Sequence, residues 1–553
     1  MKKSIYFLAI SLVCLILLSA NQDQLYYKYN RAFEIFGATV RELSENYIVE
    51  TDPDELFRNA IDGMLSDLDP YTSYYPEDDR DDIDMVTNGH YVGFGITIRR
   101  IDERVTVADF SHDFKAFEGG LRVGDVIYSI DDVVTENMKT DSLRHLTNGK
   151  ANSKSKLKVL RGNELQDTVV LSLSRQKVST NNVIWSGILE SNIGLIKLQN
   201  FSRTASVDFA KALTNLKNKS KKSSGKELSG LIIDLRDNPG GLLSEAVNIA
   251  SHFLPKNSLI VNTKGRKSVN DYSYISRNSP DSENIPLCVL INERSASASE
   301  ILAAAFQDYD RALILGRQSF GKGLVQSVLP LPFNSRIKIT SSKYYTPSGR
   351  SLQRIDYFDG GKVATDTNIF HTSNGRQILE HIGVTPDSVV GKKVYTDYIL
   401  DLAKNNNFFT FANEFCYGKK NIEIDFSADD SLVSQFSDYL KEKDYSWTSS
   451  ALKDIENLYL LADEISQFDK ASTHLDSLHS IFSDYHSAVF TENEKAIKEL
   501  LEREIIRRYH NQMEMAGRSV VTDSLIKITQ NIFIGDKLSL MLSAPPDKKE
   551  KLN

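Results

Sequence analysis

The segment from Leu287 to Gln326 limits what this chain can become more than any other. Leu287–Ile291 is an unbroken apolar run and reads as a buried strand. Ser299–Asp308 reads as a helix with Ile301, Leu302, Ala305 and Phe306 on its inner side. The connection between them carries the small residues Ser295, Ala296, Ser297, Ala298 and Ser299. A serine at a strand-to-helix turn is well placed for nucleophilic work, because the helix N-terminus aims backbone N–H groups at the reacting centre. Its hydroxyl still needs a base to take its proton. Histidine is the usual one, yet no histidine lies between His252 and His371. The segment offers Lys322 instead, flanked by Gly321 and Gly323, with Gln326 available to hold the amine by a hydrogen bond. Serine–lysine pairs are a variant of the triad, provided burial or a positive neighbour lowers the lysine pKa toward neutrality.

Taken alone, the serine run is a helix N-cap, with Ser299 as the cap. The joint pattern decides otherwise. Asn292–Ser299, Phe306–Asp308 and Gly316–Gln326 together resemble the catalytic signature of the C-terminal (tail-specific) processing peptidases, a serine–lysine family with a PDZ domain. The resemblance implies that Ser297 is the nucleophile, Lys322 the base and Gln326 its support, and it gives Asp308 a structural or supporting role. It covers the chain from about Phe33 to Asp387, interrupted by loops.

Upstream, Leu231–Leu235 is an apolar strand that ends in Arg236-Asp237-Asn238-Pro239-Gly240-Gly241, and Leu242–Leu254 follows as a helix. Such a corner binds anions, since turn amides and helix dipole point the same way. A nucleotide-binding alternative lacks the G-x-x-x-x-G-K-[ST] pattern and has a proline in the turn. By resemblance, this element lies beside the catalytic serine, and the amides of Gly240 and Ala298 form the oxyanion hole. Segments Lys343–Arg350 and Gly383–Asp387 also resemble parts of the family core.

Residues 88–177 resemble a PDZ domain. Gly93-Phe94-Gly95-Ile96 leads into the alternating run Ile96–Val107, and Gly120–Asp131 supplies the more specific half of the match. Glycines let consecutive amides converge on a terminal carboxylate, and the bound peptide adds as a strand at the sheet edge. Ser142–Leu146 is expected in the helix flanking the groove, with Leu143 and Leu146 inward.

The rest is organisation. At 553 residues the chain holds several domains. Lys2 and Lys3 precede the apolar run Ile5–Leu18, so residues 1–20 read as a signal peptide or, uncleaved, an N-terminal membrane anchor. Either puts the body outside the cytoplasm, in a bacterial periplasm or on the outer face of the inner membrane. Residues 21–87 are helical and contain AIDGMLSDLDPYTSYY, which resembles the segment ahead of the family's PDZ domain. Residues 178–390 alternate strands and helices as a mixed α/β peptidase core, with Ser206–Leu216 a helix and Lys217–Lys226 a surface loop. Residues 391–553 read as a helical accessory domain whose chemistry is not legible. A net charge of −8 without a basic stripe argues against nucleic acid as a partner. Three cysteines make no metal cluster or disulfide framework, although a Cys288–Cys416 bridge stays open. No metal or other cofactor is expected.

The expected fold is therefore multidomain α+β: a PDZ-like β domain inserted before a mixed α/β serine-peptidase core, with helical N-terminal and C-terminal regions. The expected function is a serine endopeptidase that captures unfolded or tagged protein C-termini through its PDZ domain and cleaves through an acyl-enzyme, for processing or degradation of exported proteins. A homo-oligomer or an activating adaptor stays open, as does gating of the site by the PDZ domain. The rival is a catalytically inactive PDZ-containing peptide-binding scaffold.

Overall fold

The computed structural model describes residues 26–77, 90–111, 115–138, 140–162, 167–179, 181–359, 361–363, 368–390, 395–462, 468–535 and 537–543. The expected signal or anchor segment lies outside them. No described helix is long and apolar enough to cross a membrane. The chain forms two compact units.

The smaller unit holds the described residues 26–77 together with 326–340, 357–359 and 361. Its helix 26–46 is followed by the helix Pro53–Ser66, which begins at Asp52, whose carboxylate accepts from the Asp54 N–H. A proline in the first turn suits that start, since its missing N–H would be unsatisfied there anyway. Asp69 then organises the turn, accepting from the amides of Tyr71 and Thr72 and from the Thr72 hydroxyl. Strand Ser73–Tyr75 pairs antiparallel with Arg336–Lys338.

The larger unit is built on a six-stranded sheet of β1 (Val183–Ile188), β2 (Ile193–Leu198), β3 (Gly230–Asp234), β4 (Leu287–Ile291), β5 (Leu313–Gly316) and β6 (Ser388–Val389), in that spatial order. β1 is antiparallel to β2, and the remaining pairs are parallel. A parallel sheet needs cover on both faces. Ile196, Leu231, Ile233, Val289 and Ile314 point to one face and pack with α1 (Ala205–Ser224), α2 (Leu243–Ala250) and α3 (Ala298–Asp308). Leu195, Ile232, Cys288, Leu290 and Leu315 point to the other, as the two-residue period of a strand requires. That second face is covered by α4 (Gln512–Thr522), α5 (Ser524–Ile532) and α6 (Lys537–Ser543), through Val520, Leu525, Ile526, Ile532 and Leu538. The C-terminal helical region thus completes the α/β core.

A separate β domain precedes the core, with Ile96–Ile101, Arg104–Phe110, Val126–Ile130, Lys154–Arg161 and Asp167–Ser174 in one sheet. Helix Thr140–Thr147 buries Leu143, and Leu146 packs partly against the same core. From the C-terminal region, Phe409 enters this core and Arg507 donates to the Ala108 carbonyl.

Two local expectations are corrected. The run Ile96–Val107 is a hairpin rather than one strand, because Asp102 and Glu103 take left-handed φ of 49° and 61°. Lys217–Ser224 is helix rather than loop. Ser220 is fully buried, bonding Asn192 and the Lys226 carbonyl, and Lys217 reaches Ser282, so the basic stretch turns only one side to water. Cys288 and Cys416 are free thiols.

Candidate active site

The chain turns from β4 into α3 at Ser297, whose φ of 55° and ψ of −115° make it the N-cap in place of Ser299. A non-glycine residue in such a sparsely populated conformation costs about 1–3 kcal/mol and persists only where its surroundings over-determine it. Here the flanking serines do that. Ser295 Oγ donates to the Leu235 carbonyl and accepts from the Asn292 N–H, while Ser299 Oγ donates to the Asn238 carbonyl. The Ala296 amide donates to the same Asn238 carbonyl. Ser295 and Ser299 are fully buried, whereas Ser297 is the partly exposed member of the run.

Glu300, at the third position of α3, is the residue the motif reading missed. It is fully buried. Its Oε2 accepts from the backbone N–H of Ser297 at 2.9 Å and from that of Lys322 at 2.9 Å. Its Oε1 accepts from the Gly321 N–H at 2.7 Å and the Ser319 hydroxyl at 2.5 Å. One carboxylate therefore ties the serine elbow to the lysine turn. Burial pushes its pKa up to about 7, against the pull of these four hydrogen bonds. The sequence carried a signal for it: a glutamate three residues after a serine cap is the capping-box pattern.

The lysine turn is pressed against residues 352–354. Gly321 has φ +86°, and a Cβ there would come within 2.6 Å of Arg354 Cβ. The Gly323 N–H donates to Gln353 Oε1, and Arg354 N–H donates to the Gly321 carbonyl. Tyr344 O–H donates to the Lys322 carbonyl.

The second turn, after β3, meets the elbow at Gly240. A Cβ on Gly240 would lie 2.8 Å from Ser297 Cβ and 2.9 Å from the Ala298 nitrogen, so only glycine permits this approach. Its own N–H donates to Asn238 Oδ1 at 2.9 Å. Asn238 is buried and anchored by donating to the Leu198 carbonyl. At the base of the turn, burial alone would raise the pKa of Asp234, yet the charges of Arg236 and Lys197 hold it well below the usual carboxylate range.

The other expected residues fall elsewhere. Asp308 closes α3, roughly 16 Å from Ser297 by the helix rise, and accepts from Arg350 Nη2 and the Ser348 N–H. It braces the segment after the lysine turn. Gln326 belongs to the smaller unit, where its amide donates to Thr340 Oγ1, which in turn donates to Asp69. That gives the LDPYTSYY element a physical task. In the β domain, Phe94 is buried and Gly95 has φ +70°, its carbonyl accepting from the Ser111 N–H. Gly93 bridges Asn148. Ile96 opens the following strand. Arg175, not singled out from the sequence, lies 4.9 Å from the Phe94 ring and donates to the Leu146 carbonyl and Ser153 Oγ.

With this geometry in hand, the comparisons are specific. Residues 192–357 match the model of peptidase family S41, residues 92–171 that of a PDZ domain, and residues 398–533 that of a probable PDZ-protease C-terminal helical domain. A carboxy-terminal-processing protease of Bartonella bacilliformis is 33% identical over 338 residues, spanning 61% of this chain and 76% of its own. A probable CtpA-like serine protease of Staphylococcus epidermidis is 26% identical over 361 residues, 65% of this chain and 70% of its own. Among solved structures, the photosystem II D1 C-terminal processing protease aligns at 24% identity with a TM-score of 0.36, over 65% of this chain and 87% of that one.

Proposed function

The chain belongs to the carboxy-terminal-processing proteases of peptidase family S41, and on that premise we propose that it is a serine–lysine endopeptidase that captures protein C-termini. It is a serine-type peptidase with a PDZ domain ahead of its core. In the proposed mechanism Lys322, as a neutral amine, takes the proton from Ser297. Ser297 Oγ attacks the scissile carbonyl, and the amides of Gly240 and Ala298 hold the resulting oxyanion. The intermediate collapses as Lys322 returns the proton to the departing amine, and water then releases the acyl group from Ser297. Gln326, four residues after Lys322, keeps the supporting role that its spacing suggests.

The observation that supports this reading most is the Glu300 carboxylate, which accepts from the backbone of both Ser297 and Lys322. An inert scaffold has no need of a buried carboxyl that joins these two turns. One feature favours a resting state: the Gly240 N–H is engaged by Asn238, so the oxyanion hole is complete only once that bond is shared or released. Capture of an unfolded or tagged C-terminus at Gly93–Ile96 is the proposed trigger, acting on exported proteins in the periplasm or at the outer face of the inner membrane.

The test is cleavage of a disordered protein with an apolar C-terminus by wild type, Ser297→Ala and Lys322→Ala between pH 6 and pH 10. Cleavage by wild type alone, rising as one base titrates, is expected. Cleavage that survives both substitutions overturns the assignment. Binding of the peptide without cleavage by wild type, even after a C-terminal peptide is added in trans, points to the scaffold.

A further inference from the structure

The turn that carries Gly240 is tethered from a distant part of the chain. Arg236 lies two residues past the end of β3, in this turn. Its guanidinium is held on one side by Asp234, with Nε and Nη2 at 2.8 and 2.7 Å from the two carboxylate oxygens. On the other side, Nη1 lies 2.7 Å from Oδ2 of Asp523, at the junction of α4 and α5 in the C-terminal helical region. The Asp523 carboxylate divides its work. Oδ1 caps α5 by accepting from the amides of Leu525 and Ile526 at 2.8 and 3.3 Å, which leaves Oδ2 for the arginine.

The two carboxylates are not equivalent. Asp234, the last residue of β3, lies only two residues before Arg236, so their contact is local to the turn. Asp523 belongs to helices anchored by Val520, Leu525 and Ile526 against the far face of the sheet, and it ties the arginine to that helical layer. Both side chains are mostly withdrawn from water, at 16% and 22% exposed, so the pair is only partly screened. The next residue, Asp237, sits at φ 64° and is braced on its other side by Asn292, which accepts from its N–H and donates to its carboxylate.

We propose that Asp523 is a positioning residue for the oxyanion turn, acting through Arg236, so that the C-terminal helical region contributes to the chemical step. The proposal rests on the reading of Gly240 as an oxyanion donor. It gives the helical region a task beyond covering the sheet: loss of the tether lets the turn relax and misplaces the Gly240 N–H without touching the peptide-binding loop.

The experiment uses the full chain with Asp523→Asn, Asp523→Ser and Asp523→Glu. Asparagine and serine both preserve an N-cap acceptor, so α5 survives while the ion pair is lost. For both, kcat on the disordered test protein is expected to fall about 3- to 10-fold, with KM and C-terminal peptide affinity unchanged. Melting temperature is expected to stay within about 2 °C of wild type. Asp523→Glu, which keeps the charge, is expected to recover part of kcat. Hydrogen–deuterium exchange of the peptide covering Arg236–Leu242 should quicken in the asparagine and serine variants and stay slow in the glutamate variant. Unchanged kcat with unchanged exchange overturns the proposal, and so does a kcat loss in all three variants that follows a loss of melting temperature. Should wild type cleave nothing, the peptidase reading fails, and the exchange of the Arg236–Leu242 peptide still decides whether Asp523 holds the turn.

Discussion

The serine elbow and the PDZ loop are both short turns that pass through a residue of positive φ, Ser297 in one and Gly95 in the other, and each has a different ionisable group against it. At the elbow an internal carboxyl group does the organising. Glu300 takes the N–H groups of Ser297, Gly321 and Lys322 and is shut away from water. At the PDZ loop a buried cation, Arg175, lies 4.9 Å from the Phe94 ring. The elbow therefore carries its own carboxylate and is set before any substrate arrives, whereas a loop over a guanidinium suits a carboxylate brought from outside. On the proposed function the elbow serves the chemical step and the PDZ loop serves capture, so substitutions in the two should separate kcat from KM.

The largest effect expected is at the elbow itself. Ser297→Ala or Lys322→Ala should lower kcat by at least about 10³-fold while C-terminal peptide affinity, read by fluorescence anisotropy, stays within about twofold. A parallel loss of peptide binding would break the separation. Glu300→Gln keeps the shape but offers one carbonyl acceptor where the carboxylate has two oxygens, and should lower kcat about 10²-fold with KM little changed. Circular dichroism on the same sample distinguishes this from unfolding. If KM rises and kcat does not, Glu300 belongs to binding and the comparison is wrong.

Glu300 also predicts a pH dependence of stability. Its folded pKa of about 7 lies above the ordinary glutamate value, so the folded state binds the proton more tightly than the unfolded chain. The group's contribution is fully present below the unfolded pKa and is lost as pH rises through about 7, roughly 3–4 kcal/mol in all. Denaturant unfolding of the larger unit at pH 5 and pH 8 should show this decline, and Glu300→Gln should flatten it. The smallest effect is at the PDZ loop: Phe94→Ala should raise KM about tenfold, since a buried aromatic shapes the loop but the peptide's main-chain bonds remain. A larger change in kcat than in KM would show that this loop acts on chemistry directly.

Much of the site is legible in the chain because its parts are short and local. The small residues Ser295–Ser299 after an apolar strand, the glycines around Lys322 and the glycine turn ending at Gly241 each state a backbone requirement that few other residues meet. Glu300 was legible too, as a capping-box glutamate, but its second partner lies 22 residues further on and no spacing rule announces it. The LDPYTSYY element is a similar case: Asp69 reaches Thr340, 271 residues away, and Thr340 holds Gln326.

The sequence by itself determined most of the strands and turns and nominated the reactive side chains, since these readings rest on local periodicity, on the backbone freedom of particular residues and on the family resemblance. Only the tertiary structure decided what covers the second face of the central sheet. The apolar sides of α4, α5 and α6 announce that they must be buried, but apolar surface is non-directional and names no partner. That those helices close on Ile232, Cys288 and Leu290, and thereby bring Asp523 to Arg236, depends on the whole chain having folded.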